Sequence, residues 1–172
     1  SQNPEADISG NDNINEGVAT TYTLDTENFR TGGTIYWRIV DSSNNVANSD
    51  FDAATGTAVV TETGTNSFGN RTGETSITIT ATEDQLTEGT ETFTLQLYRD
   101  SSYSTVVNTI NGSTHSIKSI TVNDTSQNPE ADISGNDNIN EGVATTYTLD
   151  TENFRTGGTI YWRIVDSSNN VA

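Results

Sequence analysis

The chain has no cysteine, so it holds no disulfide and carries no thiol-based catalytic or metal site. Basic residues are scarce, with 7 Lys and Arg against 24 Asp and Glu, for a formal charge of −17. Such a surface repels nucleic-acid phosphates and anionic headgroups, which excludes nucleic acid and acidic membranes as partners. No stretch approaches the roughly 20 apolar residues of a membrane span, so no membrane insertion is expected of this segment. No signal-peptide pattern opens at Ser1; a leader or anchor is expected outside the segment. Catalytic signatures are missing as well: there is no P-loop, no GxGxxG after a strand, no HExxH and no CxxC. His115 is the lone histidine; its place near a turn makes it an expected solvated side chain. Carboxylates are too abundant for any one pair to mark a glycosidase, and the sequons at Asn70, Asn111 and Asn123 are what an Asn- and Thr-rich chain produces by chance. No enzymatic activity is expected.

Hydrophobic residues make up only 30% of the chain, a composition that borders on disorder. Their arrangement argues otherwise. Almost every periodic segment has period two, the signature of half-buried strands. Strands are expected over Ala6–Ser9, Thr20–Thr26, Thr34–Val40, Ala58–Thr61, Thr75–Ala81, Thr92–Tyr98 and Ile117–Val122. Tyr22 and Leu24 share one face of the second, as do Ile35, Trp37 and Ile39 of the third. Ile77 and Ile79, then Phe93, Leu95 and Leu97, supply the inward faces of two more. Gly56 reads as a turn before the fourth strand, and a weak pair is expected around Asn111-Gly112 with Val106, Val107 and Ile110. About seven strands separated by Gly, Asn, Asp and Ser clusters, without helical periodicity, predict an all-β fold. The expected architecture is an immunoglobulin-like antiparallel Greek-key sandwich, with Trp37 as its core Trp and no disulfide beneath it.

Ser1–Ala47 recurs letter for letter as Ser126–Ala172. An offset of 125 residues is too long for a solenoid unit and suits tandemly repeated whole domains. Identity that extends through the loop SGNDNINEG points to recent duplication in an array or to deliberate repetition by design. The expected organisation is one complete repeat over 1–125 and the first part of an identical repeat over 126–172. Because the second copy stops after its third expected strand, it reads as an incomplete sandwich, and the molecule is expected to continue past Ala172. The first 125 residues alone hold 17 acids and 5 bases. Several acids fall into loops: Glu16 before the second strand, Asp50 and Asp52 around Phe51, Glu83 to Glu91 between two strands, and Asp124 after the last. Hard carboxylate oxygens from several loops are the ligands calcium takes.

The order Asn15-Glu16-Gly17, Ser49-Asp50-Phe51, Gly73-Glu74-Thr75, Glu83-Asp84, Glu88-Gly89-Thr90-Glu91-Thr92-Phe93-Thr94-Leu95 and Ile120-Thr121-Val122-Asn123-Asp124 resembles the Calx-beta domain. The most specific piece is EGTETFTLQL. The resemblance covers most of the 125-residue unit and implies a seven-stranded immunoglobulin-like sandwich, with calcium bound at one end in some members. Carried over position by position, it makes Glu16, Asp50, Glu83, Asp84, Glu88 and Asp124 candidate metal ligands. Glu141, the counterpart of Glu16 in the second copy, joins them at the junction, and Glu91 either binds or orients the loop. The run Glu83-Asp84-Gln85 and the ending Asn123-Asp124 carry less charge than the family pattern, which implies one or two weak sites and no full cluster. Bound calcium would stiffen the junction between modules.

The expected role is a structural or adhesive repeat of an extracellular filament or giant surface protein, working as a spacer. Its expected partners are identical repeats in the same chain or in neighbouring subunits, including strand exchange that builds a fibre. Two other readings stay open: a glycan- or surface-binding module with Phe29, Tyr36, Tyr98 and Tyr103 as an aromatic platform, and a virion fibre domain.

Overall fold

The computed structural model describes residues 2–84, 87–112 and 114–171. Gln85 of the acidic run, Ser113 of the Asn111 sequon and the outermost residues Ser1 and Ala172 lie outside them. The chain forms two units, Ser1–Ser126 and Gln127–Ala172.

In the first unit the alternating segments become strands where their apolar faces find cover. They are β1 (Glu5–Ser9), β2 (Asn13–Asn15), β3 (Ala19–Glu27), β4 (Thr34–Val40), β5 (Thr55–Val59), β6 (Thr61–Thr65), β7 (Arg71–Thr80), β8 (Glu91–Tyr98) and β9 (Ile117–Asn123). One sheet has the order β1-β3-β7-β6 and the other β2-β9-β8-β4-β5. Pairing is antiparallel except between β2 and β9, which run parallel. Tyr22, Leu24, Ile77 and Ile79 of the first sheet and Ile35, Trp37, Ile39, Phe93, Leu95, Leu97 and Ile120 of the second form one core. All but Ile120 are inward residues that the period-two pattern predicts.

Two departures from the expected strands have clear causes. The short strand expected at Ala58–Thr61 is a change of sheet: β5 pairs with β4, β6 pairs with β7, and buried Val60 is the corner between them. The corner is pinned by Gly32 N–H donating to Val60 O and Val60 N–H to Gly33 O, both 2.9 Å. Gly56 makes no turn. It lies in β5 opposite Trp37, where an added Cβ would stand 2.4 Å from the indole. The indole therefore packs on bare backbone, which only glycine provides.

Of the residues proposed as an aromatic platform, Phe29 and Tyr98 are buried. Tyr98 packs edge-on against Tyr103 and His115, with the Arg38 guanidinium 5.0 Å above its ring centre. His115 is half-buried rather than solvated, its Nε2 donating to Leu97 O at 2.8 Å. The Asn70 sequon amide donates to the buried Glu27 carboxylate at 2.8 Å.

The second unit repeats part of this. β10 (Glu130–Ser134) pairs with β11 (Thr148–Glu152) in the register that joins β1 to β3. Most of its apolar residues are open: Leu149, the counterpart of Leu24, is 40% exposed where Leu24 is 0%. Leu24→Ala is expected to lower unfolding stability by about 2–5 kcal/mol. Leu149→Ala should change it by less than about 0.5 kcal/mol. Urea denaturation of the two variants checks the contrast.

Candidate functional site

The acids gather at one end of the first unit because three strand ends meet there. β2 and β9 pair through Asn15 and Asn123, which sets Glu16 beside Asp124. β8 begins with Glu91 paired to Val122. The segment before β5 arrives through Phe51, bridged to Ala81, and Asp50 O accepts from Thr82 N–H at 2.9 Å. The resulting cleft is lined by Glu16, Ser49, Asp50, Thr82, Asp84, Glu88, Glu91, Phe93 and Val122. Phe93 and Val122 are its apolar floor, and Phe51 packs edge-on against Phe93 at 5.0 Å.

Four of the predicted ligands, Glu16, Asp50, Asp84 and Glu88, therefore share one cleft. Glu83 is not among the lining residues: its side chain rests against Gly17, next to Glu16. Asp124 works as an anchor. Its Oδ2 accepts from the backbone N–H of Glu88 at 2.7 Å and Gly89 at 2.8 Å, and its Oδ1 from Ser126 N–H at 2.9 Å. Glu141 is exposed, in the second unit.

A residue that no ligand pattern marks links two residues of the cleft, Glu16 and Asp84. Ser126 is 8% exposed. Its N–H donates to Glu16 Oε2 at 3.2 Å, and its hydroxyl donates to the same oxygen at 2.7 Å and also contacts Asp84 O. Thr125 N–H donates to Glu16 Oε2 at 3.3 Å. Identity had placed Ser126 at the start of the second copy. Its contacts place it in the first unit, because exact repetition gives a period but no phase.

Charge at this end is only partly compensated. The Glu88 carboxyl is held above its ordinary pKa, first by the charge of Asp84, then by desolvation and by Asp50, Glu16 and Asp124. Glu91 is raised too, first by desolvation and then by Asp50, Glu88, Glu16 and Asp124. Asp124 is lowered, first by the Gly89 N–H and then by those of Glu88 and Ser126. In kind these oxygens fit calcium. Among the described residues, no three His, Cys, Asp or Glu stand as a group able to hold a metal ion.

Strand order and inter-sheet core define an immunoglobulin-like β-sandwich with an acidic end. No protein-family model matches the chain, and no curated protein matches its sequence. Among solved structures, it is similar to the CARDB domain of the PF1109 protein from Pyrococcus furiosus, solved in complex with di-metal ions. Identity is 11% and the TM-score 0.37, over 71% of this chain and 92% of that one. At that distance the likeness says nothing about the acidic end.

Two opposite pH effects follow. Glu88 and Glu91, raised in the folded chain, bind protons more readily folded than unfolded, so their contribution to stability grows as pH falls from neutrality through the upper carboxylate range. Asp124 is lowered, and so is Asp100, whose first cause is the Ser102 hydroxyl. Their contribution is present above the unfolded value and is lost as pH falls through the folded one. Stability should rise, pass a maximum and then fall on acidification. Glu88→Gln with Glu91→Gln should raise stability at neutral pH and flatten the upper limb, as thermal unfolding across pH will show. Ser126→Ala, which removes a buried hydroxyl donor, is expected to cost about 0.5–1.5 kcal/mol in the same assay.

Proposed function

We propose that this chain is a spacer segment of an extracellular structural or adhesive protein, built from Calx-beta-like modules joined end to end. One observation carries the reading: the chain enters the first unit at one end and leaves it at the other. Glu5 pairs with Glu27 at the far end of β3. Asp124 and Ser126 are tied to Glu16 and Asp84 at the acidic end, near Ala19 and its partner Thr80. β3 has 9 residues, so the two ends lie roughly 27 Å apart. A unit with that path adds its length to a chain whenever it is copied, whereas a unit with adjacent termini adds a side branch. The 47 residues repeated in the sequence supply the copying.

An acidic surface keeps such modules soluble and apart. Calcium enters this reading as a weak modulator of the acidic end, where the raised Glu88 and Glu91 carboxyls record repulsion that a cation relieves. Glu16 and Asp124 are already engaged by N–H groups, so an ion would draw on Glu88 and Glu91, with Asp50 beside them. Catalysis, nucleic-acid binding and membrane insertion have no part in it.

Small-angle scattering on chains carrying one, two and four copies of residues 1–125 tests the spacer role. The maximum dimension is expected to grow by a constant increment of roughly 30–40 Å per copy. Dimensions growing only as those of a compact particle would reject it. For calcium, thermal unfolding in millimolar calcium against chelator is expected to show a rise of about 3–6 °C, lost in the Glu88→Gln, Glu91→Gln variant. An unchanged transition would remove calcium and leave the spacer standing.

A further inference from the structure

The outer face of the larger sheet carries a packed cluster that is separate from the inter-sheet core. Leu97 points inward, so Tyr98 points away from the core, yet it is only 4% exposed. Its cover is local. Tyr103 and His115 pack edge-on against it at 5.4 and 5.0 Å, and the Arg38 guanidinium lies 5.0 Å from its ring centre. The same guanidinium lies 5.6 Å from the ring centre of Tyr103. Tyr36 stands opposite Tyr98 in the β4–β8 ladder and two residues before Arg38, hence on the same face. Tyr36, Arg38 and Tyr103 are half-buried, so each keeps part of its surface in solvent.

Two features of this cluster point to a ligand. The first is backbone strain. Tyr103 has a φ of 55°, whereas every other described non-glycine residue at positive φ is Asn, which tolerates that region. Strain of this kind persists only where the surroundings impose it, and here Asp100 does so. Its Oδ1 accepts from the N–H of Ser102 at 3.0 Å and of Ser104 at 3.2 Å and from both serine hydroxyls, and its Oδ2 accepts from Thr105 N–H at 2.6 Å. Tyr103 N–H donates to Asp100 O at 3.1 Å, and Arg99 N–H closes the loop on Thr105 O at 2.8 Å. The second feature is charge. In a chain with 24 acids and 7 bases, no acid pairs with Arg38 among the described residues. Its Nε donates to Gln96 Oε1 at 3.0 Å, an oxygen that also accepts from Tyr98 OH at 2.9 Å. Its Nη groups have no partner among the described residues. A planar fork of donors is thus fixed through its edge and its face and left with nothing to donate to.

We propose that Tyr36, Arg38 and Tyr103 bind a neutral hexopyranose of a glycan chain. The C–H face of the sugar lies on the Tyr103 ring, and two adjacent hydroxyls accept from the Arg38 Nη groups. An aromatic surface beside a few fixed donors suits a ligand with one apolar face and a polar rim. The sugar is neutral because a chain at −17 repels polyanions over its whole surface, while a hydroxyl needs only the donor. Contact with a single sugar is shallow, which places its Kd near about 1 mM; copies of the unit in one chain strengthen it by avidity. All the residues of the site lie within the first unit, so the site stands independently of the spacer reading.

The test is made on the 172-residue chain. Coupled to beads, it is screened against immobilised oligosaccharides of glucose, galactose and mannose, beside oligosaccharides bearing sialic or uronic acids. A neutral oligosaccharide that binds is then titrated into isotope-labelled chain and followed by NMR. Expected are amide shifts confined to the surroundings of residues 36–38, 96–98 and 100–105. Tyr103→Gly removes the ring at a φ that glycine adopts freely, so the fold is kept and binding is expected to weaken at least about tenfold. Arg38→Lys keeps the charge but loses the fork, and is expected to weaken binding several-fold. Thermal unfolding of both variants checks that the chain is folded at the temperature of the titration. Binding by no neutral sugar, binding confined to the acidic sugars, or binding that survives both substitutions would each overturn the site and leave the spacer reading in place.

Discussion

Closure of β3 on β7 is the constraint from which the rest of the first unit follows. Nine consecutive residues, Ala19 to Glu27, pair with Thr80 to Thr72. This ladder sets Tyr22 and Leu24 beside Ile77 and Ile79, so one sheet gains a continuous inward face against the other. It also sets the two ends of the unit. Ala19 opposite Thr80 brings Gly17 to Ala81, where the Gly17 N–H donates at 2.9 Å, and so brings Glu16 to the acidic cleft. Glu27 opposite Thr72 brings the other end to Glu5 and to the Asn66 and Asn70 amides. A slip of one residue would turn every one of these side chains to the wrong face.

Charge at the acidic end is compensated in part from within the backbone. A chain at −17 has few cations to place, and the described ion pairs, Arg71 with Glu62 and Lys118 with Asp12, lie away from the cleft. Backbone N–H groups take the role of cations for Asp124 and Glu16, fixing the 88–89 turn and the Thr125-Ser126 exit. Among the described residues Glu88 and Glu91 receive no such donors, and the charge of Asp84 raises the first while desolvation raises the second. Anchoring and repulsion thus fall on different residues of one cluster, and the candidate ligand set divides along the same line.

Much of the sandwich was legible because period-two alternation needs no partner to be recognised. Tyr22, Leu24, Ile35, Trp37, Ile39, Ile77, Ile79, Phe93, Leu95 and Leu97 all face inward as the pattern requires. What escaped it was short or shared. β2 has three residues and one inward side chain, Ile14, too few to show a period. The β5–β6 corner hides in a Thr-rich run whose only fully buried apolar residue is Val60. Gly56 carries the local signature of a turn, and only the indole of Trp37 across the ladder reveals why it is glycine. At the acidic end the residue types were readable. Glu83 and Ser126 were not, because turning toward Gly17 or back to Glu16 is a matter of loop path.

The repeated 47 residues show the division directly, since the same sequence folds in two surroundings. Asp41 Oδ1 accepts from the N–H of Ser43 and Asn45, and Asp166 Oδ1 repeats both bonds with Ser168 and Asn170. Tyr22 OH donates to Asn11 O at 2.8 Å, and Tyr147 OH to Asn136 O at 3.0 Å. The pairing of β1 with β3 returns in β10 with β11. These features join residues near in sequence, so the sequence by itself determined them. β4 has no counterpart strand in 159–165, β11 keeps five residues of the nine in β3, and Trp162 stands open. Extended strands hold when neighbours satisfy their N–H and C=O groups and cover their apolar faces, and for this segment those neighbours lie in residues 48–125. Tertiary structure therefore decided whether Trp37 is a core residue or a surface one, and whether Glu16 meets Ser126 at an acidic cleft.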